Sequence, residues 1–161
     1  MKILFALLIA AFVASPAIAQ EQIIEFYDTP YDSTADPFVQ LENAKTLASD
    51  GNKLILLDVG GEWCIWCHRL DDLFREHADL ATYMKAHYVP VKINYSLENK
   101  NEKFLARYPK IGGYPHIFVL DAQGDLIHSQ NTGDLEEGKG HSPEKVMTFL
   151  KKWAERKNTG I

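Results

Sequence analysis

The spacing of apolar positions changes several times along the chain, and each change predicts an element. Ile3 to Val13 is one unbroken apolar run of about eleven residues, too short to cross a bilayer as a helix. Gln22 to Tyr27 (QIIEFY) predicts a short strand, and the polar, Pro-containing stretch from Asp28 to Pro37 predicts a loop. Phe38, Leu41, Ala44 and Leu47 then recur at helical spacing behind Asp36-Pro37, a pair suited to a helix start, and Asp50-Gly51-Asn52 ends that helix. Lys53 to Val59 (KLILLDV) is almost wholly apolar, as expected of a strand buried on both faces, and Asp58 interrupts it.

Beyond Gly60-Gly61, a helix is predicted from Cys64 to about Arg75 with Leu70, Leu73 and Phe74 inward, and a shorter one from Leu80 to Ala86. Tyr88 to Asn94 (YVPVKIN) predicts a strand, Glu98 to Tyr108 a helix, Gly112 to Pro115 a turn, and His116 to Leu120 (HIFVL) a strand. A hairpin turn at Asp121 to Gly124 leads into an edge strand at Leu126 to Ser129. Asn131 to Gly140 is expected to be a loop, and Ser142-Pro143 opens a last helix striped by Val146, Phe149, Leu150 and Trp153. The order β–α–β–α–β, then a hairpin and a helix, implies an α/β layered sandwich around a central mixed β-sheet flanked by helices.

The first apolar run changes the picture of where the chain works. Lys2 precedes it, and Ala17-Ile18-Ala19 follows it with the small-x-small pattern of a cleavable export leader. Residues 1–19 are therefore expected to be a signal peptide, leaving a single domain over residues 20–161 that is periplasmic or otherwise exported, soluble and monomeric. About 140 residues bury enough surface to fold without staples. The formal charge of −5, one unit more acidic once Lys2 is lost, argues against nucleic acid and anionic membranes as partners. Exported chains meet an oxidising compartment. The two cysteines stand only three apart, and a bridge closing so small a loop stabilises little through chain entropy. Reactivity or ligation is the better reason for them.

The stretch Gly61 to His68 (GEWCIWCH) admits three chemistries. As C-x-x-C-H it would attach a c-type haem, with His68 as proximal ligand and Met84 or Met147 among the distal candidates. As a thiol pair with a histidine it would carry copper or zinc. As a dithiol at a strand-to-helix junction it would exchange disulfides. In that case Cys64, at a helix N-terminus, is the nucleophile, and Cys67, one turn inward, resolves the mixed disulfide. Asp58 at the end of a buried strand is either a structural carboxylate or a proton acceptor for Cys67, and Lys92 on the next strand would share the proton. His68 lies four residues after Cys64 and is either a solvated histidine or a cation that stabilises the thiolate. Trp63 and Trp66 flank the thiols as packing or as a docking surface.

Four features together resemble the thioredoxin-fold family: the strand LILLD leading into W-C-x-x-C, Asp58 six residues before Cys64, Lys92 in VPVKIN, and Gly113-Tyr114-Pro115 before HIFVL. The resemblance covers roughly Leu41 to Trp153 and implies a thioredoxin-like three-layer sandwich. It implies an exported thiol–disulfide oxidoreductase without a cofactor, acting on proteins through a Cys64–Cys67 redox-active disulfide. It favours proton transfer for Asp58 and Lys92, and a cis bond at Tyr114-Pro115 that presents backbone groups to substrate. In the fold that the resemblance implies, His116, beside the proline loop, is the nearest candidate histidine for the metal-carrying alternative. The thioredoxin-like W-C motif, Asp58, Lys92 and the absence of a histidine between the cysteines favour a reductase or isomerase, served by a membrane electron-donor protein. Three positions depart from the family pattern: Ile65-Trp66 between the cysteines, Gly60-Gly61 before them, and His116 after the proline.

Overall fold

Strand β1, Leu54–Gly60, is buried at every residue and lies inside the sheet. A computed structural model describes residues 27–157; the leader and all but the last residue of the expected strand Gln22 to Tyr27 lie outside the described residues, and Tyr27 itself is helical. β1 pairs in parallel with β2, Tyr88–Asn94, and antiparallel with β3, His116–Leu120, which pairs antiparallel with β4, Leu126–Asn131. The resulting order β2-β1-β3-β4 is the mixed sheet that the element order implies.

Side chains alternate between the two faces of β1, and each face has its own core. Leu54 and Leu56 meet α2 (Ile65–Glu76), α3 (Ala78–His87) and α5 (Pro143–Lys157) through Leu70, Leu73, Phe74, Leu80, Met84 and Leu150. Ile55, Leu57 and Val59 meet α1 (Pro37–Gly51) and Phe104 of the short helix α4 (Glu102–Leu105). Three layers follow. Helix α1 begins where expected: the Asp36 side chain accepts from the Phe38 N–H at 2.8 Å, a cap of about 1 kcal/mol. It ends on Asn52, whose left-handed φ of 49° turns its N–H back to the Ala48 and Ser49 carbonyls.

Two segments differ from the sequence reading. Glu98 to Tyr108 is not one helix; only Glu102–Leu105 is α-helical. Asparagines outcompete the helix there. Asn101 takes a φ of 49°, its Nδ2 donates to the Asn94 carbonyl, and the Asn99 side chain accepts from the Asn101 N–H, so no helical turn propagates back to Glu98. The stretch Asn131 to Gly140, expected to be a loop, contains a 3-10 turn (Thr132–Leu135) and the first strand of a small hairpin, β5 (Glu136–Glu137) with β6 (Gly140–His141). This hairpin brings His141 against α2.

Candidate active site

The turn from β1 into α2 puts the two cysteines at the helix N-terminus, joined as a disulfide with Cα atoms 5.2 Å apart. Cys64 is the N-cap, in extended conformation, and its sulfur accepts from the Cys67 N–H at 3.1 Å. After reduction the same N–H and the helix dipole would favour a Cys64 thiolate. Cys64 is 4% exposed and Cys67 fully buried, so Cys64 is the more accessible of the two but more enclosed than its place in the sequence suggests.

Gly60-Gly61, a departure from the family pattern, is explained by close approach. A Cβ at Gly60 would stand 2.4 Å from the Cys67 sulfur and 3.0 Å from the Tyr31 hydroxyl. One at Gly61 would stand 2.7 Å from the Tyr95 carbonyl oxygen.

Beneath the disulfide lies a set of buried charges. Asp58 and Lys92 are direct partners in the β1–β2 register, and both side chains point to the α2 face. Lys92 nevertheless forms its ion pair with Asp71, a residue of α2, at 2.9 Å, and also donates to the Thr29 carbonyl at 2.9 Å. The Lys92 ammonium group is thus bonded to Asp71 and acts on Asp58 as a nearby charge. Asp58 accepts a 2.8 Å hydrogen bond from the Tyr31 hydroxyl through Oδ2, while its Oδ1 is buried without a partner among the described residues. Burial first, and then the Asp71 charge, push the Asp58 carboxyl up to about 7; the Tyr31 bond and Lys92 pull less strongly the other way. Burial raises Asp71 as well, against the pull of Lys92. A buried carboxyl raised to about 7, linked through Tyr31 to the packing around the disulfide, has the acidity that proton uptake and return near neutral pH requires.

The rim is aromatic. Trp63, 57% exposed, donates from Nε1 to the Tyr95 carbonyl at 2.6 Å and meets Tyr114 edge-on at 5.6 Å. Tyr114 stacks on Tyr95 at 4.7 Å, and the Tyr114-Pro115 bond is cis. Tyr114 and Trp66 both pack against the cluster of Tyr31, Cys64 and Cys67, so the proline loop faces the disulfide. The Pro115 carbonyl accepts from the Thr132 hydroxyl, so it is already engaged within the chain. Trp66 is half-buried, with the Arg69 guanidinium 4.5 Å from its ring centre and His141 edge-on at 5.7 Å. His141 is buried with both ring nitrogens unpartnered among the described residues, and burial and Arg69 push it down to about 4.

Three candidate ligands from the sequence lie elsewhere. The His68 ring bonds the Glu62 carbonyl at 2.9 Å. His116 pairs with Val59 across the sheet, on the α1 face, and contacts Ser129 at 2.8 Å; it does not share the face of Cys67. Met84 is fully buried in α3, its sulfur accepting from the Tyr27 hydroxyl at 2.6 Å. The described residues hold no group of three or more His, Cys, Asp or Glu side chains placed to share a metal ion. Of the residues that complete the site, Tyr31 carries no local signal in the sequence, since it sits in a loop far from the motif. Asp71 had one: it is the acid inside the Leu70, Leu73, Phe74 stripe, one turn after Cys67.

A disulfide capping a helix, a near-neutral buried carboxyl below it and a cis-proline loop beside it on a mixed three-layer sheet define a thiol–disulfide oxidoreductase of thioredoxin fold. The chain belongs to the thioredoxin-like family, whose model matches residues 36–122. It is 26% identical over 120 residues to the disulfide bond reductase DsbH of Chlamydia pneumoniae, a match covering 69% of this chain and 68% of that protein. It is similar to the crystal structure of a disulphide isomerase from Xylella fastidiosa Temecula1 (TM-score 0.65, 25% identity, 77% of this chain and 95% of that one). The oxidised C-terminal domain of DsbD from Neisseria meningitidis has the same fold (TM-score 0.54, 18% identity, 78% and 99% covered).

Proposed function

We propose that the chain is an exported protein disulfide reductase or isomerase, in which Cys64 attacks, Cys67 resolves, and Asp58 with Lys92 manages the Cys67 proton. The observation that carries the direction is the pair of buried carboxylates under the disulfide, of which Asp71 is bonded to Lys92 and Asp58, among the described residues, only to the Tyr31 hydroxyl. Negative charge there disfavours thiolate, so it favours the disulfide form and makes the reduced pair a strong electron donor. The Gly60 Cβ position touches both the Cys67 sulfur and the Tyr31 oxygen, and Tyr31 bonds Asp58, which bounds Asp58 Oδ2 to within about 8 Å of the Cys67 sulfur; at that separation and an effective dielectric of about 20, a unit charge is worth about 2 kcal/mol. That exceeds the 0.3–1 kcal/mol or so that a helix terminus typically contributes in favour of the Cys64 thiolate.

The resemblance to a disulfide bond reductase and to a disulphide isomerase supports the same direction and a protein substrate. The exposed Trp63 and the Tyr114-Pro115 loop would form the docking surface, and Trp66, held between Arg69 and His141, would flank it. The leader over residues 1–19 would deliver a single domain to an oxidising compartment, where a membrane-bound donor would have to restore the dithiol. No described helix is long and apolar enough to cross a membrane.

Equilibration of the purified protein with glutathione buffers tests the direction. The expected midpoint lies nearer about −270 mV, typical of a reducing dithiol, than about −120 mV; a midpoint near about −120 mV, typical of a dedicated disulfide oxidant, would make the protein an oxidant. Mass analysis of the chain recovered from the periplasm tests the leader, with Gln20 expected as the first residue.

A further inference from the structure

Resolution of a mixed disulfide requires the Cys67 proton to leave, and Tyr31 links the packing around the cysteines to Asp58. The Tyr31 ring packs with Cys64 and Cys67, and its hydroxyl donates to Asp58 Oδ2. A Cβ at Gly60 would stand 2.4 Å from the Cys67 sulfur and 3.0 Å from the Tyr31 oxygen, so both groups border the space that the glycine leaves. The Tyr31 N–H is held by the Glu62 carboxylate at 2.7 Å, and the Lys92 ammonium lies 4.9 Å from the ring centre, so the residue is fixed from several directions. The remaining charged neighbours of Asp58, namely Asp71 and Lys92, are bonded to one another. A hydroxyl donates one proton and still accepts another. Its proton goes to Asp58, which leaves a lone pair for an S–H.

We infer that the Tyr31 hydroxyl relays a proton between Cys67 and Asp58. This inference rests on the reading of Cys67 as the resolving thiol. In the mixed disulfide, Cys64 is bonded to the substrate sulfur and Cys67 is a thiol. The Cys67 proton moves to the Tyr31 oxygen as the Tyr31 proton moves to Asp58 Oδ2. The Cys67 thiolate attacks the Cys64 sulfur. The Cys64–Cys67 bond forms, the bond from Cys64 to the substrate breaks, and the substrate sulfur leaves as a thiolate with the electron pair. The dithiol is oxidised by two electrons, the substrate disulfide is reduced by two, and the tyrosine ends as it began. Burial and the neighbouring carboxylates raise the phenol well above its ordinary range, which suits a group that passes charge without holding it.

The test mixes the fully reduced chain with one equivalent of dithiobis(nitrobenzoate) and follows the release of coloured thionitrobenzoate in a stopped-flow instrument. A first phase reports attack by Cys64 and a second reports resolution by Cys67. The leaving thiolate needs no proton, so the second phase isolates the Cys67 proton. Tyr31→Phe is expected to keep the first phase and slow the second by about 10²-fold, the lower end of what a positioned proton-transfer group contributes. Asp58→Asn should slow the second phase similarly, and the double variant should be no slower than the slower single one. A wild-type second phase in Tyr31→Phe, or losses that multiply in the double variant, would overturn the relay. Should Tyr31→Phe fail to fold, the wild-type chain in mixtures of light and heavy water decides. Two protons moving together bow the plot of second-phase rate against deuterium fraction, whereas a straight plot removes Tyr31 from the route. Absence of both phases in the wild-type protein would instead refute the oxidoreductase reading itself.

Discussion

Asp58→Asn should stabilise the oxidised protein at pH 8, even though it removes a group assigned to the chemistry. Asparagine keeps the shape and an oxygen for the Tyr31 hydroxyl, and it carries no charge. The ordinary carboxyl value of 3.8 applies to the unfolded chain, and the folded value is about 7. Between them the native state binds more protons than the unfolded state, so stability falls as pH rises through that window and is level above it. The gap is roughly three units; at 1.36 kcal/mol each, the ionised Asp58 costs the fold about 4 kcal/mol. Urea unfolding of the oxidised wild type and variant across pH 4 to 8 or so measures it. The expected difference is near zero at the acid end, rises with pH, and reaches about 4 kcal/mol in favour of the variant above pH 7. His116 and His141 also titrate abnormally, but their contributions occur in both proteins and cancel in the difference, whereas the Asp71 charge acts on Asp58 and its repulsion is part of what the variant relieves. A variant less stable than wild type at pH 8, or a difference that does not change with pH, would refute the account of Asp58 as an uncompensated buried carboxyl.

Other substitutions probe the same frame. Lys92→Met would leave Asp71 without its ion-pair partner and Asp58 without a nearby cation, and should cost about 3–5 kcal/mol in urea unfolding near neutral pH, with recovery as acid neutralises the carboxylates. Gly60→Ala places a methyl 2.4 Å from the Cys67 sulfur and should cost about 1–3 kcal/mol, whereas Gly112→Ala, with nothing within 4 Å of the added carbon, should unfold at the wild-type midpoint. Trp63→Ala removes an exposed ring and its bond to the Tyr95 carbonyl; in steady-state reduction of a protein disulfide, KM should rise by roughly tenfold and more than kcat falls, as for the loss of one interface anchor.

The sheet was legible because its central strands are apolar on both faces, and the motif helix because Leu70, Leu73 and Phe74 keep helical spacing. Cys64, Cys67, Asp58 and Lys92 converge because one strand-to-helix turn and one parallel register carry them all. The partner of Lys92 was not legible: strand pairing puts it beside Asp58, but the bond goes to Asp71, whose place depends on how α2 sits on the sheet. Tyr31 was hidden for a stronger reason. A loop residue about thirty positions upstream gives no periodic signal, and only tertiary packing brings it under the sulfurs. The failed helix at Glu98 had a visible cause, the asparagines at 94, 99 and 101, each able to bond backbone in place of a helical turn.

The arm from Tyr27 to Ala35 lies outside the span that the family model matches, yet it forms the floor of the site. Tyr31 holds Asp58, the Thr29 carbonyl receives Lys92, and Tyr27 stacks on Phe74 at 4.5 Å. A domain trimmed at the matched boundary would keep both cysteines and lose this floor. Water would then reach the carboxylates, their titration would fall back towards that of ordinary acids, and such a fragment would no longer report the electrochemistry of the protein from which it was cut.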